Sequence, residues 1–186
     1  MEKGKTGSVK MPNNFDTESM DAINNRCMRI MTNSVVDYAS RNFIKLYFAG
    51  PWFDEKASLL YHACEHIAEE LKAVNKYKIY YPKNEVNKTP REAFEKNVKR
   101  IQGADVVVAL VSRKDVGTAW EIGMAYALGK PVYLLGYDET TFLSHTNVML
   151  AFSGKCFTLD KYAKFLTVGL DDDDYVKIND EWEGIE

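Results

Sequence analysis

The stretch ADVVVALV at residues 104–111 constrains the fold of this chain more than any other part of it. It is almost wholly apolar and rich in β-branched residues, which is typical of a strand buried on both faces of a sheet. Shorter strand-like runs occupy residues 44–49, 78–81, 131–135 and 155–158, and segments with helical spacing of apolar residues lie between them. This alternation predicts an α/β fold: a doubly wound, flavodoxin- or Rossmann-like parallel sheet of about five strands, with helices on both faces.

Two helices have clear boundary signals. The sequence Thr89-Pro90-Arg91-Glu92 offers a capping threonine, a proline at the first helical position and a glutamate three residues after the cap. A second helix is predicted over 117–128, where a glycine follows as the stop signal. In a sheet of this kind the ligand crevice lies at the carboxyl ends of the strands. We therefore expect the loops after Ala49, Val111 and Leu135 to meet at the functional site.

The length of 186 residues suits one domain with short appendages. Residues 1–42 are interpreted as an N-terminal extension with a loose start and a helix within 16–40. Residues 43–170 are interpreted as the catalytic domain, and residues 171–186 as an acidic C-terminal tail. The run Asp171–Asp174 is expected to be a solvated linker rather than a cation site, because no turn glycine or spaced ligand pattern accompanies it.

Charge and composition exclude several partner classes. The formal net charge is −3 and no basic stripe is visible, so a nucleic-acid polymer is not an expected partner. No apolar run approaches the roughly 20 residues of a membrane span, and the first residues lack the apolar core of a signal peptide. The three cysteines have no paired spacing. This is typical of a reducing compartment and predicts a cytoplasmic protein without membrane contact.

Several cofactor and metal motifs are missing from the sequence. Neither a GxGxxG turn nor a phosphate-binding GxxxxGK[ST] loop is present, and there is no nucleophile elbow of the GxSxG type. His62 and His66 are four residues apart, but they lack the HExxH order and a third ligand. We therefore expect a reaction without a metal or an organic cofactor.

The stretch DVGTAWEIG at 115–123 carries the candidate chemistry. Gly117 and Thr118 open the predicted helix, and Glu121 is expected in its first turn, where free N–H groups and the helix dipole favour a carboxylate anion. An anionic carboxylate in the crevice suits attack on a carbon with oxocarbenium character, as in glycosyl transfer through a covalent intermediate. The alternative interpretation is an ordinary glutamate that only supports the start of the helix.

From about residue 44 to 157 the chain resembles the nucleoside 2-deoxyribosyltransferases. The resemblance rests on three blocks in order: LYFAGPWF (46–53), NVKRIQGADVVVALV (97–111) leading into DVGTAWEIG, and TNVML (146–150). It implies transfer of 2-deoxyribose between nucleobases in nucleoside salvage. The expected partners are small 2′-deoxynucleosides and free nucleobases, and the expected assembly is a homo-oligomer with shared active sites.

The resemblance assigns the reacting groups. Glu121 matches the nucleophile that forms a deoxyribosyl ester, Tyr47 the phenol that orients it, and Asp115 the carboxylate that binds the sugar hydroxyls. Asn97 stands where many bacterial members have an aspartate that handles the proton on the leaving base. Its amide can form hydrogen bonds with the base but does not ionise. Without the resemblance, Asp115 could simply cap a turn and Tyr47 could be an ordinary strand aromatic.

Four more residues are assigned: a glycine that contacts the ligand and three residues on the side of the base. Gly50 allows close approach of the backbone to the ligand, and Trp52 and Phe53 match aromatics that border the base. Both rings could equally be packing between a loop and a helix. Glu85, in the segment PKNEVN, replaces the glutamine that usually contacts the base after the second strand.

Two residues are assigned to the sugar from the last block. Asn147 matches an asparagine that family members donate from a neighbouring subunit to the sugar 5′-hydroxyl, and Met149 lies beside the sugar. Met149 could instead be core packing.

Two other functions compete with transfer. The first is hydrolysis of the N-glycosidic bond of 2′-deoxynucleoside 5′-monophosphates, which related family members perform. Those enzymes need hydroxyl and cationic groups near the first loop to hold the phosphate, and the loop AGPWF has neither. The second is a non-catalytic nucleoside or nucleotide sensor on the same fold. The joint presence of Glu121, Asp115 and Tyr47 argues against a sensor, which needs no carboxylate aimed at the anomeric carbon.

Overall fold

The computed structural model describes residues 43–52, 55–73, 76–111, 115–143 and 147–178. The expectations for the N-terminal extension, for the last eight residues and for Phe53 lie outside the described residues.

The core of the molecule is a five-stranded parallel sheet. Its strands are β1 (Ile44–Ala49), β2 (Tyr77–Tyr80), β3 (Val106–Leu110), β4 (Val132–Gly136) and β5 (Lys155–Thr158). Their order is β2-β1-β3-β4-β5, and every neighbouring pair is parallel. This is the flavodoxin-like doubly wound arrangement, so the predicted fold class is confirmed.

Six α-helices are described along the chain. They are α1 (Glu55–Glu70), α2 (Pro90–Gly103), α3 (Val116–Ala127), α4 (Thr140–Leu143), α5 (Val148–Ala151) and α6 (Tyr162–Thr167). Short 3₁₀ turns follow β2 and β5 and occupy Asp172–Asp174. None of these helices combines the length and the apolar character that crossing a bilayer requires.

The alternation of side chains along the strands creates two cores. Leu46 and Phe48 of β1 face the layer that contains α1 and α6, whereas Tyr47 and Ala49 face the layer that contains α2 and α3. All five residues of β3 are buried because this central strand is covered on both faces. Tyr47 therefore packs in the core between the sheet and helices α2 and α3. Its ring faces the helices that carry the candidate site.

The start of α2 follows the predicted capping pattern. The Thr89 side chain accepts a hydrogen bond from the Glu92 N–H at 3.1 Å, and the Glu92 carboxylate accepts one from the Lys88 N–H at 2.8 Å. Pro90 occupies the first turn, where its missing N–H is not needed. These local bonds determine where α2 begins and hence which of its residues face the sheet.

The described chain after residue 170 packs on the domain. The Val176 N–H donates to a backbone carbonyl of β5 at 2.8 Å, and Asp174 accepts from Lys164 Nζ at 2.6 Å. The run Asp171–Asp174 is therefore largely solvent-exposed, as expected, but it includes a 3₁₀ turn at Asp172–Asp174 that Lys164 holds in place. Apolar side chains on either side of this turn cover both cores, so the structured domain continues to residue 178.

Candidate active site

A cavity of about 420 Å³ lies at the carboxyl ends of β1, β2 and β3. Its lining comes from the loops after β1 and β2, from α2 and from the start of α3. The lining residues are Gly50, Trp52, Pro82, Lys83, Glu85, Asn87, Ala93, Asn97, Asp115, Gly117, Thr118 and Glu121.

The position of the cavity partly corrects the sequence expectation. The loop after Ala49 and the segment after Val111 contribute as expected, but none of the described residues after Leu135 lines the cavity. The loop after β2 takes that place. The physical reason is the strand order: the crevice of such a sheet opens between β1 and β3, where the winding reverses, and β2 adjoins β1 whereas β4 lies beyond β3.

The Glu121 carboxylate lines the cavity and is held by two hydrogen bonds. Tyr47 Oη donates to Glu121 Oε1 at 2.5 Å, and Asn97 Nδ2 donates to the same oxygen at 3.4 Å. Within the part of the chain that the structure describes, no donor reaches Oε2. One carboxylate oxygen is therefore held in place while the other is left for an incoming atom.

Glu121 lies in the second turn of α3, not in the first turn as expected. Val116 begins the helix, and the first turn contains no acidic residue. The free N–H groups at the helix start are thus not available to Glu121. Instead, burial raises the pKa of the Glu121 carboxyl to about 7, the hydrogen bond from Tyr47 opposes this rise, and the nearby Asp115 carboxylate adds to it. The expectation that the helix terminus keeps Glu121 anionic is wrong.

Tyr47 is a reliable hydrogen-bond donor in this environment. Its side chain is completely buried, and both burial and the adjacent Glu121 raise the pKa of its phenol far above the usual value. The phenol therefore keeps its proton throughout the neutral range and directs it at Glu121.

Asp115 both caps α3 and lines the cavity. Its Oδ2 accepts hydrogen bonds from the Thr118 N–H at 2.6 Å and from Thr118 Oγ1 at 2.7 Å. No described residue donates to Oδ1. The capping role and the proposed sugar-binding role are thus compatible, because each uses a different oxygen of the same carboxylate.

These features fit a site for chemistry at an anomeric carbon, and comparison with known proteins identifies the family. A family model described as nucleoside 2-deoxyribosyltransferase matches residues 46–173. The chain belongs to this family.

Individual relatives in this family differ in their assigned reactions. A protein of Thermofilum pendens assigned as 2′-deoxynucleoside 5′-phosphate N-hydrolase 1 is 31% identical over 110 residues, covering 52% of this chain and 70% of the relative. The 2-deoxyribosyltransferase of Bacillus psychrosaccharolyticus superimposes with a TM-score of 0.53 at 24% identity, covering 69% of this chain and 93% of that one. The 2-deoxyribosyltransferase of Leishmania mexicana superimposes with a TM-score of 0.51 at 21% identity, covering 68% of this chain and 99% of that one. The two structures support the fold alone.

The described residues assigned to the base reach the same cavity from two loops, those after β1 and β2. Trp52 lines it with 42% of its surface exposed, and Glu85 lines it from the loop after β2. The Glu85 carboxylate is paired with Arg100 at 3.2 Å and with Lys96 at 3.4 Å. Gly50 lines the cavity too, and a Cβ there would lie 3.1 Å from the Leu110 Cβ, so close packing also requires a glycine at this position.

Asn147 and Met149 do not line the cavity. The Asn147 side chain caps the short helix α5 by accepting from the Met149 N–H at 2.9 Å. Both residues are exposed, Met149 at 77%, so Met149 is not core packing. Within one subunit the structure therefore does not bring the predicted sugar contacts together with Glu121.

Two cavity residues were not singled out from the sequence. Lys83 has its ammonium 2.5 Å from Glu65 Oε2 and 4.8 Å from the centre of the Tyr61 ring. Asn87 donates through Nδ2 to the Glu85 carbonyl at 3.3 Å, but its Oδ1 is buried without a partner among the described residues. The only sequence signal for both was their place directly after the predicted strand β2.

The described residues contain no group of three or more histidine, cysteine or acidic side chains placed to hold a metal ion. His62 lies near the Lys83 ammonium, at 3.0 Å from Nδ1, and so belongs to a polar flank of α1.

Proposed function

We propose that this protein transfers 2-deoxyribose from one nucleobase to another through a covalent intermediate on Glu121. The observation that carries the proposal is the asymmetric support of the Glu121 carboxylate, which lines the cavity: Tyr47 and Asn97 hold Oε1, and no described donor reaches Oε2. A volume of about 420 Å³ suits a ligand of nucleoside size.

The first half-reaction forms the ester. Glu121 Oε2 attacks C1′ of a 2′-deoxynucleoside, and the glycosidic C1′–N bond breaks with its electron pair going to the base, which gains a proton. Asn97 donates to the neighbouring Oε1 at 3.4 Å and lines the cavity, which supports assigning its amide to the departing base. Because an amide does not ionise, it supports departure by hydrogen bonding, and the proton arrives from solvent or another group.

The second half-reaction releases the sugar to a new base. An acceptor base loses its ring N–H proton, attacks C1′ from the face that the first base left, and displaces Glu121. Two inversions at C1′ give net retention. Asp115, whose Oδ1 is not used by the helix cap, holds the sugar hydroxyls during both steps.

We also propose that the active enzyme is a homo-oligomer in which Asn147 completes a neighbour's site. The exposure of Asn147 and Met149 supports this arrangement, as does an exposed apolar pair on α2 and α3, the helices that contribute to the cavity lining. Phe94 and Trp120 form an exposed ring pair with centroids 5.4 Å apart. A second subunit covering this patch would bury it and exclude water from the ester.

Hydrolysis of 2′-deoxynucleoside 5′-monophosphates is the second candidate. The assigned activity of the Thermofilum pendens relative favours it. Lys83 favours it too, because this residue supplies the cavity wall with a cation for the phosphate, which the loop after β1 does not. The Lys83 ammonium is already paired with Glu65, however, so we rank phosphate recognition below transfer. A sensor ranks last, because a buried carboxylate held at one oxygen has no purpose in simple binding.

One experiment separates the three functions. Deoxyinosine is incubated with free cytosine or adenine, and a parallel sample contains a 2′-deoxynucleoside 5′-monophosphate. Products are followed by chromatography. Formation of a new nucleoside supports transfer, release of deoxyribose 5-phosphate without transfer supports the hydrolase, and no change in either sample supports a sensor.

The cellular role that we propose is nucleoside salvage in the cytoplasm. Cys64 and Cys156 are unpaired and buried, which suits a reducing compartment.

A further inference from the structure

A second cavity, of about 370 Å³, lies beside the edge strand β2 and is rich in positive charge. Four cationic side chains line it: Lys45 from β1, Lys78 from β2, and Lys99 and Arg100 from α2. Lys45 and Lys78 are direct partners in the β1–β2 register, so they stand side by side on one face of the sheet. We call this cavity the basic groove.

The charges of the basic groove are poorly compensated. Among the described residues no carboxylate lines it, and neither Lys45, Lys78 nor Lys99 forms an ion pair. Arg100 is bonded to Glu85 at 3.2 Å. Asp105, next to the groove, accepts from the Lys45 backbone N–H at 2.8 Å. Like charges held close together repel one another, and an anion bound between them removes that repulsion.

We propose that the basic groove binds a small molecule through a chain of phosphates. Lysine ammonium groups and a guanidinium are the usual partners of phosphate oxygens, and four cations match the charge of a di- or triphosphate. A concave cavity of this volume fits a compact ligand, whereas a nucleic-acid polymer requires an extended basic surface. The phosphate chain is the recognised part, whether it is inorganic or carried by a nucleotide.

Arg100 links the basic groove to the catalytic cavity. Its guanidinium lies 4.5 Å from the centre of the Tyr80 ring and bonds to Glu85, which lines the catalytic cavity. A phosphate in the groove would attract the Arg100 guanidinium and break its ion pair with Glu85. The Glu85 carboxylate would then be paired only with the Lys96 ammonium, which lies 3.4 Å away. Occupancy of the groove therefore changes the charge that faces the base. This consequence rests on the proposed function, but binding itself does not.

Binding is tested by isothermal titration calorimetry of the full chain with inorganic tripolyphosphate. This probe has no sugar or base, so it lacks the groups that the proposed transferase site recognises. We expect one equivalent per chain and an affinity that falls as salt rises. The double variant Lys45→Ser/Lys78→Ser should bind at least about tenfold more weakly, because two charge-assisted contacts are lost.

Three controls make the result decisive. Lys177→Ser removes an exposed lysine outside the groove and should bind like the wild type, as should Glu121→Gln in the catalytic cavity. Circular dichroism confirms that each variant is folded. The proposal is overturned if the wild type does not bind tripolyphosphate, if the double variant binds equally well, or if Lys177→Ser or Glu121→Gln weakens binding as much. Tighter binding of a single-stranded oligonucleotide than of tripolyphosphate would overturn the small-molecule assignment.

Discussion

The proposed mechanism requires Glu121 to be a charged nucleophile in a place that disfavours charge. Burial raises the pKa of its carboxyl to about 7, and the Tyr47 hydrogen bond limits that rise. A carboxylate that is poorly solvated and held at one oxygen is a stronger nucleophile than one in water, at the cost of being partly protonated at neutral pH.

Removing this carboxylate should abolish transfer. We expect Glu121→Ala to lower kcat by several orders of magnitude, on the scale of other nucleophile deletions, while the protein stays folded. Glu121→Gln should be nearly as inactive, because the amide keeps the shape without the charge. Mass spectrometry of the wild type with a deoxynucleoside and no acceptor should show a deoxyribosyl adduct on the peptide that contains Glu121. An adduct on another residue would contradict the mechanism.

The raised pKa also predicts how stability depends on pH. The pKa of Glu121 in the folded state lies above its ordinary value, so the folded protein is more stable when this carboxyl is protonated than when it is ionised. The contribution of the protonated carboxyl to stability is lost as the pH rises through about 7. At pH 8 Glu121→Gln should therefore be more stable than the wild type, by about 2–3 kcal/mol. Below about pH 4.5 the difference should vanish. Urea unfolding at several pH values measures this, and a constant difference between the two proteins would contradict it.

The phenol of Tyr47 should shift the pH dependence of activity. Activity should rise with pH through about 7 in the wild type as Glu121 ionises. Tyr47→Phe removes the donor that lowers the Glu121 pKa, so the rise should move to higher pH. Tyr80→Phe is the matched control, because Tyr80 stacks on Tyr47 at 5.6 Å, whereas the donors to Glu121 are Tyr47 and Asn97. Equal shifts in both variants would exclude a specific role for the Tyr47 hydroxyl.

Asn87 should influence which bases are accepted. Asn87 lines the cavity, and its buried Oδ1 has no described partner; leaving such an acceptor unpaired costs about 1–3 kcal/mol. A donor on the bound base would satisfy it. We expect Asn87→Leu to change the relative kcat/KM values across a panel of acceptor bases by about tenfold or more. Asn84→Leu, on the same loop but outside the cavity lining, should leave the relative values unchanged.

At the scale of elements, the β4–β5 region depends on close backbone contact. A Cβ at Gly154, just before β5, would lie 2.5 Å from the Val132 carbonyl oxygen of β4. That oxygen belongs to a strand and cannot move independently, so Gly154→Ala should destabilise the fold by about 1–3 kcal/mol. Gly103→Ala, where nothing lies within 4 Å, should leave stability nearly unchanged. Thermal unfolding compares the two, and equal stability would show that β5 can shift.

At the scale of the whole molecule, the proposed assembly predicts complementation between inactive subunits. A Glu121→Ala subunit still offers Asn147, and an Asn147→Ala subunit still offers Glu121. Mixed oligomers should therefore contain some complete sites and regain part of the activity. Each variant mixed with itself is the control. Sedimentation of a monomer at assay concentration, or no recovery after subunit exchange, would contradict shared sites.

Several elements of this structure could be predicted from the sequence, because they depend on interactions between residues close together in the chain. The apolar run 104–111 can only be a buried strand, and the Thr89 cap sets the start of α2 through bonds within one turn. Both are readable from the sequence because their physics involves near neighbours in the chain. The block 115–123 indicates the candidate nucleophile for a similar reason, since an Asp cap and a helix place Glu121 beside the end of β3.

The tertiary structure decided what depends on distant parts of the chain. The pKa of Glu121 depends on burial and on Tyr47, which is 74 positions away in the chain. The position of Glu121 near a helix start predicted a lowered pKa, whereas burial raises it. Lys83 and Asn87 enter the cavity because β2 pairs with β1 at the edge of the sheet. Likewise, the basic groove exists only because α2 leaves one face of β2 open, and no local pattern records which cations share that face.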